Sequence, residues 1–179
     1  MLRKLVVLTM TLGVAFGVLL LAGRSATFVC SRSLTVAKPP DAVWSVLADV
    51  DRWPQWWPGV VSARLNSGWH VGGALELDLN GRPEREPARI EGFAPERETT
   101  WSRPGVLGSI VRTTLRIAPA AGGTEVKLES SIRGPQAVFA RLTGRKAFDR
   151  YHQAVLAALR AHLQQFTAAA KSGESHARH

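Results

Sequence analysis

The 179-residue sequence predicts an α+β fold: a curved antiparallel sheet of about seven strands closed against one long C-terminal helix, with a single apolar helix in front. Three observations predict it. Residues 5–23, LVVLTMTLGVAFGVLLLAG, are 19 uncharged positions in a row. Between Val60 and Ile132, apolar and polar residues alternate in short runs parted by glycine-bearing turns. From Phe148 to Phe166, apolar residues return at every third or fourth position.

The apolar run is long enough for a bilayer-spanning helix, which needs roughly 20 residues. Arg3 and Lys4 precede it, as in a signal peptide or a signal anchor. Its exit, Leu21-Ala22-Gly23-Arg24-Ser25-Ala26, suits cleavage poorly: a cut after Ala26 puts Arg24 at the minus-three position, and one after Gly23 puts Leu21 there. Residues 1–31 therefore read as an uncleaved single-pass membrane anchor and linker, with the domain outside the cytoplasmic membrane. Secretion after cleavage is the alternative. Net charge is +9; four of the 23 basic residues and none of the 14 acidic ones precede residue 34, so the remainder carries a mild +5. That suits an anionic membrane surface. A nucleic-acid partner is not expected, because basic residues do not interleave with exposed aromatics. Cys30 is the only cysteine, so no intramolecular disulfide can form.

The elements follow in order. Ser33 to Ala37 alternates as a short strand. Pro39-Pro40-Asp41 opens a helix, with Val43, Trp44, Leu47 and Val50 on one face. Asp51 is placed to cap a second short helix, Arg52 to Trp57, which Pro58-Gly59 stops. Strands are predicted at Val60–Leu65, Ala74–Leu79, Arg85–Phe93, Arg97–Ser102, Ser109–Ile117 and Thr124–Ile132, with Asn80-Gly81 as a tight hairpin turn. Val111, Thr113, Leu115 and Ile117 share one face, as do Val126, Leu128, Ser130 and Ile132. Gly134-Pro135 ends the sheet. Phe148, His152, Val155, Leu159, Leu163 and Phe166 form one stripe of the last helix. Residues 32–166 make one domain, and 167–179 a small, polar, disordered tail.

The stretch Lys38–Val60, KPPDAVWSVLADVDRWPQWWPGV, resembles the START-like (SRPBCC) superfamily, and in particular its bacterial polyketide cyclase/dehydrase and lipid-transport branch. The element order, the Gly72-Gly73 turn, Trp101 and the Gly134-Pro135 break extend the resemblance over about residues 32–166. It implies a helix-grip fold with a deep hydrophobic cavity between sheet and C-terminal helix. It does not fix an activity, because carriers, sensors, cyclases and hydrolases share this scaffold.

Candidate ligand residues each have a structural reading beside the functional one. Trp57 either lines a cavity mouth or anchors the short helix. Trp101 offers an amphipathic face and one donor. Thr113 and Ser130, on inward faces of neighbouring strands, bond each other, the backbone or a ligand. Leu77, Leu115, Leu128 and Phe148 supply apolar wall. His152, inside the apolar stripe, is the best acid/base candidate, against a purely structural buried histidine. Arg145 and Arg141 lie one and two turns before Phe148 if the helix is unbroken there, at the cavity rim. No metal-ligand spacing, nucleophile elbow or phosphate loop occurs, and no cofactor is expected. The expected function is a membrane-anchored binder or transporter of a lipid, isoprenoid or polyketide. The alternatives are a cyclase/dehydratase working in the same cavity and a chaperone-assisting interaction module.

Overall fold

The computed structural model describes residues 2–80, 82–83 and 87–176. Helix α1 spans Leu2–Gly23 and leads through three residues into β1, Thr27–Val36. Helix α2 (Pro40–Ala48) follows, then a 3-10 turn (Val50–Arg52) and the short helix α3 (Trp53–Trp56). The strands are β2 (Val60–Leu65), β3 (Ala74–Leu79), β4 (Arg82–Pro83), β5 (Ala88–Ala94), β6 (Glu98–Pro104), β7 (Ile110–Ala120) and β8 (Gly123–Arg133). The last segment is α4 (Gln136–Phe139), a π turn (Ala140–Gly144) and the long helix α5 (Arg145–His176).

All pairings are antiparallel, in the order β1-β8-β7-β6-β5-β3-β2, with β4 hanging on β3. Strands β5 to β8 form a meander, and β1 returns to pair with β8 over its whole length, Thr27 opposite Arg133 and Val36 opposite Thr124. Register shifts in β2 at Val60/Ser62 and in β5 at Ile90/Gly92 add local twist. The resulting curved sheet wraps α5, which is the expected helix grip. Gly123 is required by the β7–β8 turn: its φ is +144°, and a Cβ there would overlap the Val36 carbonyl.

Inward faces fall where period two puts them. Leu115, Ile117, Val126, Leu128 and Ile132 are buried, as are Val155, Leu159 and Leu163 from α5. They form two clusters. The larger packs α2, α3 and α5 on the sheet around Trp53. The smaller joins Phe28, Cys30, Val111, Ile132, Ala137 and Ala140.

Several expectations change. The first strand begins at Thr27, not Ser33, so the segment read as a linker supplies two buried residues, Phe28 and Cys30. Asp51 caps nothing: it lies inside the 3-10 turn, and neither short helix has a side-chain cap; Asp49 instead pairs with Arg52 at 3.2 Å. The last helix is interrupted by the π turn, where an extra residue per turn breaks the spacing that linked Phe148 to Arg141, while Arg145 opens α5 on the Phe148 side of the break. Its backbone runs on to His176, where a disordered tail from Thr167 was expected. Gly81 and Arg85 lie outside the described residues, as does the side chain of Phe166, although Leu79 opposite Arg82 and Asn80 at φ +55° suit a two-residue turn. Among the described residues no helix is long and apolar enough to cross a membrane, so the expected transmembrane segment is not shown; a helix over Leu2–Gly23 is.

Candidate functional site

The pocket lies where the two clusters meet, between α3, the inner sheet face and α5. Its volume is about 150 Å³. Trp53 and Trp57 close it from the α3 side; Leu77, Trp101, Val111, Thr113 and Ser130 form the sheet wall; Phe148 and Tyr151 come down from α5. Five of the six tryptophans are in ring contact with one another, and three of these, Trp53, Trp57 and Trp101, line the pocket. Trp53 is the hub, with centroids 4.6 Å from Trp57, 5.7 Å from Trp101 and 6.3 Å from Trp69, and Trp56 lies 5.2 Å from Trp57. Trp53 is held by its Nε1, which donates to the Leu47 carbonyl at 3.0 Å, so α2 fixes the plane of the ring. The deep cavity that the resemblance implies is here largely filled by indole. What remains matches a space that admits one benzene-sized ring.

Polar groups are few and placed at two depths. At the mouth, Trp57 Nε1 donates to the Tyr151 hydroxyl at 2.8 Å and joins the α3 region to α5. Burial pushes the Tyr151 phenol up, opposed by the Trp57 hydrogen bond and by the charge of Arg103, which also lines the pocket. Deeper, Ser130 Oγ lies 2.9 Å from His152 Nε2. His152 is fully buried, and burial drives its pKa below the usual value; Asp149 opposes that shift and Arg32 adds to it. Asp149 is itself bound by Arg32 at 2.5 Å, in an exposed pair between α5 and β1. The His152 imidazole is therefore neutral near pH 7.

Its tautomer follows from the other nitrogen. His152 Nδ1 is buried without a partner among the described residues. An orphaned N–H costs more than an orphaned lone pair, which favours the proton on Nε2, donating to Ser130. The Ser130 hydroxyl proton is then available to the pocket, where it can donate to a ligand carbonyl or ether. With the other tautomer, Nε2 accepts the Ser130 proton. In either tautomer the bond ties the Ser130 hydroxyl on the pocket wall to α5.

Of the residues singled out from the sequence, Trp57, Leu77, Trp101, Thr113, Ser130 and Phe148 line this one pocket. His152 stands behind Ser130, off the surface of the pocket. Leu115 and Leu128 are buried in the larger cluster and do not border the pocket. Arg141 and Arg145 do not border it either: within the π turn Arg141 is exposed and donates to the Thr27 carbonyl at 2.9 Å, and Arg145 is exposed. The basic lining residue is Arg103, which the sequence placed beyond the end of its strand. Tyr151 was also missed, although it sits three residues after Phe148, a spacing that puts both on one helix face.

An antiparallel sheet gripping a long C-terminal helix, with an aromatic pocket between them, defines a helix-grip small-molecule-binding fold. Residues 27–164 match the family described as polyketide cyclase/dehydrase and lipid transport, and the chain belongs to that family. Solved structures agree on the fold. The ZhuI aromatase/cyclase from Streptomyces sp. R1128 superposes with a TM-score of 0.61 at 19% identity, over 78% of this chain and 94% of that one. Protein NE0264 from Nitrosomonas europaea gives 0.61 at 17%, over 80% and 97%. The di-domain aromatase/cyclase BexL, from the BE-7585A biosynthetic pathway, gives 0.62 at 16%, over 90% of this chain and 59% of that longer one. No curated protein matches the chain.

Proposed function

We propose that this protein is a membrane-anchored carrier for a hydrophobic small molecule, held in the pocket between Trp57, Trp101 and Phe148. One observation carries the reading: a mostly apolar space walled by Trp53, Trp57, Trp101 and Phe148 remains between sheet and helix, with Asn80, Arg103, Thr113, Ser130 and Tyr151 as its polar side chains. Its size selects a single flat ring, or the ring-bearing end of a longer isoprenoid or polyketide whose remainder leaves past Tyr151. Helix α1 supplies the anchor in this reading, with the domain on the extracytoplasmic side. Native mass spectrometry of the full chain released from nanodiscs tests it. A bound apolar species of constant mass, displaced by a one-ring aromatic that also quenches indole emission, is expected. A chain that emerges empty and takes up no such probe overturns the carrier reading.

The Ser130–His152 pair favours a second reading, a cyclase/dehydratase. A neutral imidazole at 2.9 Å from a pocket hydroxyl can relay a proton to or from a bound polyketide. Turnover of a short polyketide mimic that is lost in His152→Gln, while probe binding persists, would establish it over the carrier.

A further inference from the structure

We propose that the end of the sheet from which α1 departs is a docking face for an anionic phospholipid bilayer, with a groove between Arg24 and Arg133 seating a lipid phosphate. This rests on the membrane-anchored reading above and adds the face that meets lipid.

Register places the parts together. Thr27 is opposite Arg133, Arg133 is opposite Ile110, and Ile110 is opposite Pro104, one row across β1, β8, β7 and β6. The α1 exit, the β6–β7 loop and the start of α4 thus share one end of the sheet. Hydrogen bonds hold that end rigid. The Val106 amide donates to Gln136 Oε1 at 3.1 Å, the Gln136 amide to Ser109 Oγ at 2.9 Å, and the Gly134 amide to the Ala26 carbonyl at 2.9 Å. Gly23 packs against Pro135 and Val138.

On this rigid end the large apolar side chains face outward. Leu107 is 47% exposed, Ile110 49%, Phe139 43% and Leu142 76%. Leu107 also adopts φ +55°, ψ +34°, a left-handed conformation that disfavours a leucine and buries little of it. Strain and exposure at one residue gain nothing for the fold by itself; they become useful when the side chain enters a lipid interface. Beside the loop lies a groove of about 460 Å³, lined by Arg24, Leu107, Ile110, Arg133 and Pro135, with no carboxylate among its described residues. Guanidinium groups flanked by apolar side chains match a phosphate above acyl chains.

Distance argues for a bilayer rather than another partner. Only Arg24, Ser25 and Ala26 separate α1 from β1. Fully extended, three residues span about 10 Å. A domain so tethered to an embedded helix holds this end within reach of the head groups.

The full chain, labelled with an environment-sensitive fluorophore at Leu107→Cys, or separately at Leu142→Cys, tests the face in vesicles of phosphatidylcholine with and without phosphatidylglycerol. Val61→Cys, on the exposed edge strand β2, is the reference; Cys30 is buried. Lipid-borne quenchers should quench the Leu107 and Leu142 probes severalfold more than the Val61 probe in anionic vesicles. Arg24→Glu with Arg133→Glu should weaken that quenching roughly fivefold or more. Equal quenching at all three positions, or none at Leu107 and Leu142, overturns the docking face, and quenching indifferent to the double reversal overturns the phosphate seat. Carbonate extraction reads the anchor separately. Extractable protein with Leu107 still quenched removes the anchor and keeps the face; resistant protein with Leu107 unquenched does the reverse.

Discussion

The two hydrophobic clusters of this domain are built on opposite plans. The larger one is made of broad rigid planes, with Trp53 touching Trp57, Trp69 and Trp101 and locked by a bond to the Leu47 carbonyl. The smaller one is made from the ends of elements: Phe28 and Cys30 from the start of β1, Ala137 and Ala140 from α4 and the π turn, with Phe148 tilted 5.2 Å from Phe28. Indoles on one side and alanines on the other do not interdigitate. Space is left at the seam, and the pocket, Ser130 and His152 all lie there. The lesson is that a mismatch between two good packings makes a site as effectively as a designed hollow.

The largest test of that comparison is truncation. A chain beginning at Ser25 keeps all of β1, whereas one beginning at Arg32 loses Phe28, Cys30 and five ladder positions opposite β8. Deleting a buried Phe alone costs about 3–5 kcal/mol. The Arg32 start should therefore unfold without cooperativity while the Ser25 start melts sharply, with urea denaturation as the measurement. Equal midpoints would mean that the smaller cluster adds nothing.

A smaller effect comes from the seam. His152 has a depressed folded pKa, so the unfolded chain takes up its proton first as pH falls below 6.5. Stability is full above that value, declines below it, and stops declining on this account once pH passes the folded value. The slope is at most about 1.4 kcal/mol per pH unit for one proton. Denaturation midpoints of His152→Gln between pH 7.5 and 5.5 should decline less steeply than those of the parent, although His162, also shifted down by burial, keeps part of the slope. Parallel curves would show that His152 does not titrate on unfolding.

Smallest is the bond across the mouth. Tyr151→Phe removes it at about 0.5–1.5 kcal/mol and should speed uptake of a one-ring probe in stopped-flow fluorescence. Unchanged uptake would show that the mouth opens elsewhere.

The sheet faces were legible because period two survives in a single sequence; Val111 to Ile117 and Val126 to Ile132 needed no partner to be read. β1 was not, because Thr27 to Cys30 stands only three residues behind the apolar helix and its pairing partner lies some hundred residues away. Six of the nine proposed ligand residues line the pocket, since inward-facing positions on neighbouring strands and the helix converge by topology alone. The size of the pocket was hidden, because it depends on the rotamers of Trp53, Trp57 and Trp101. Arg141 was misplaced because helical spacing cannot be carried across a π turn, and Arg103 was missed because β6 runs two residues past Ser102.

Five indoles with neighbouring ring centres between 4.6 and 6.3 Å do more than fill space. At such separations their electronic transitions couple, so the ring array absorbs circularly polarised light collectively rather than as independent chromophores. The ultraviolet circular dichroism of the folded protein then carries a couplet that reports the angles between Trp53, Trp57 and Trp101. Any molecule that enters between those rings must change it, so the protein signals its own occupancy without a label.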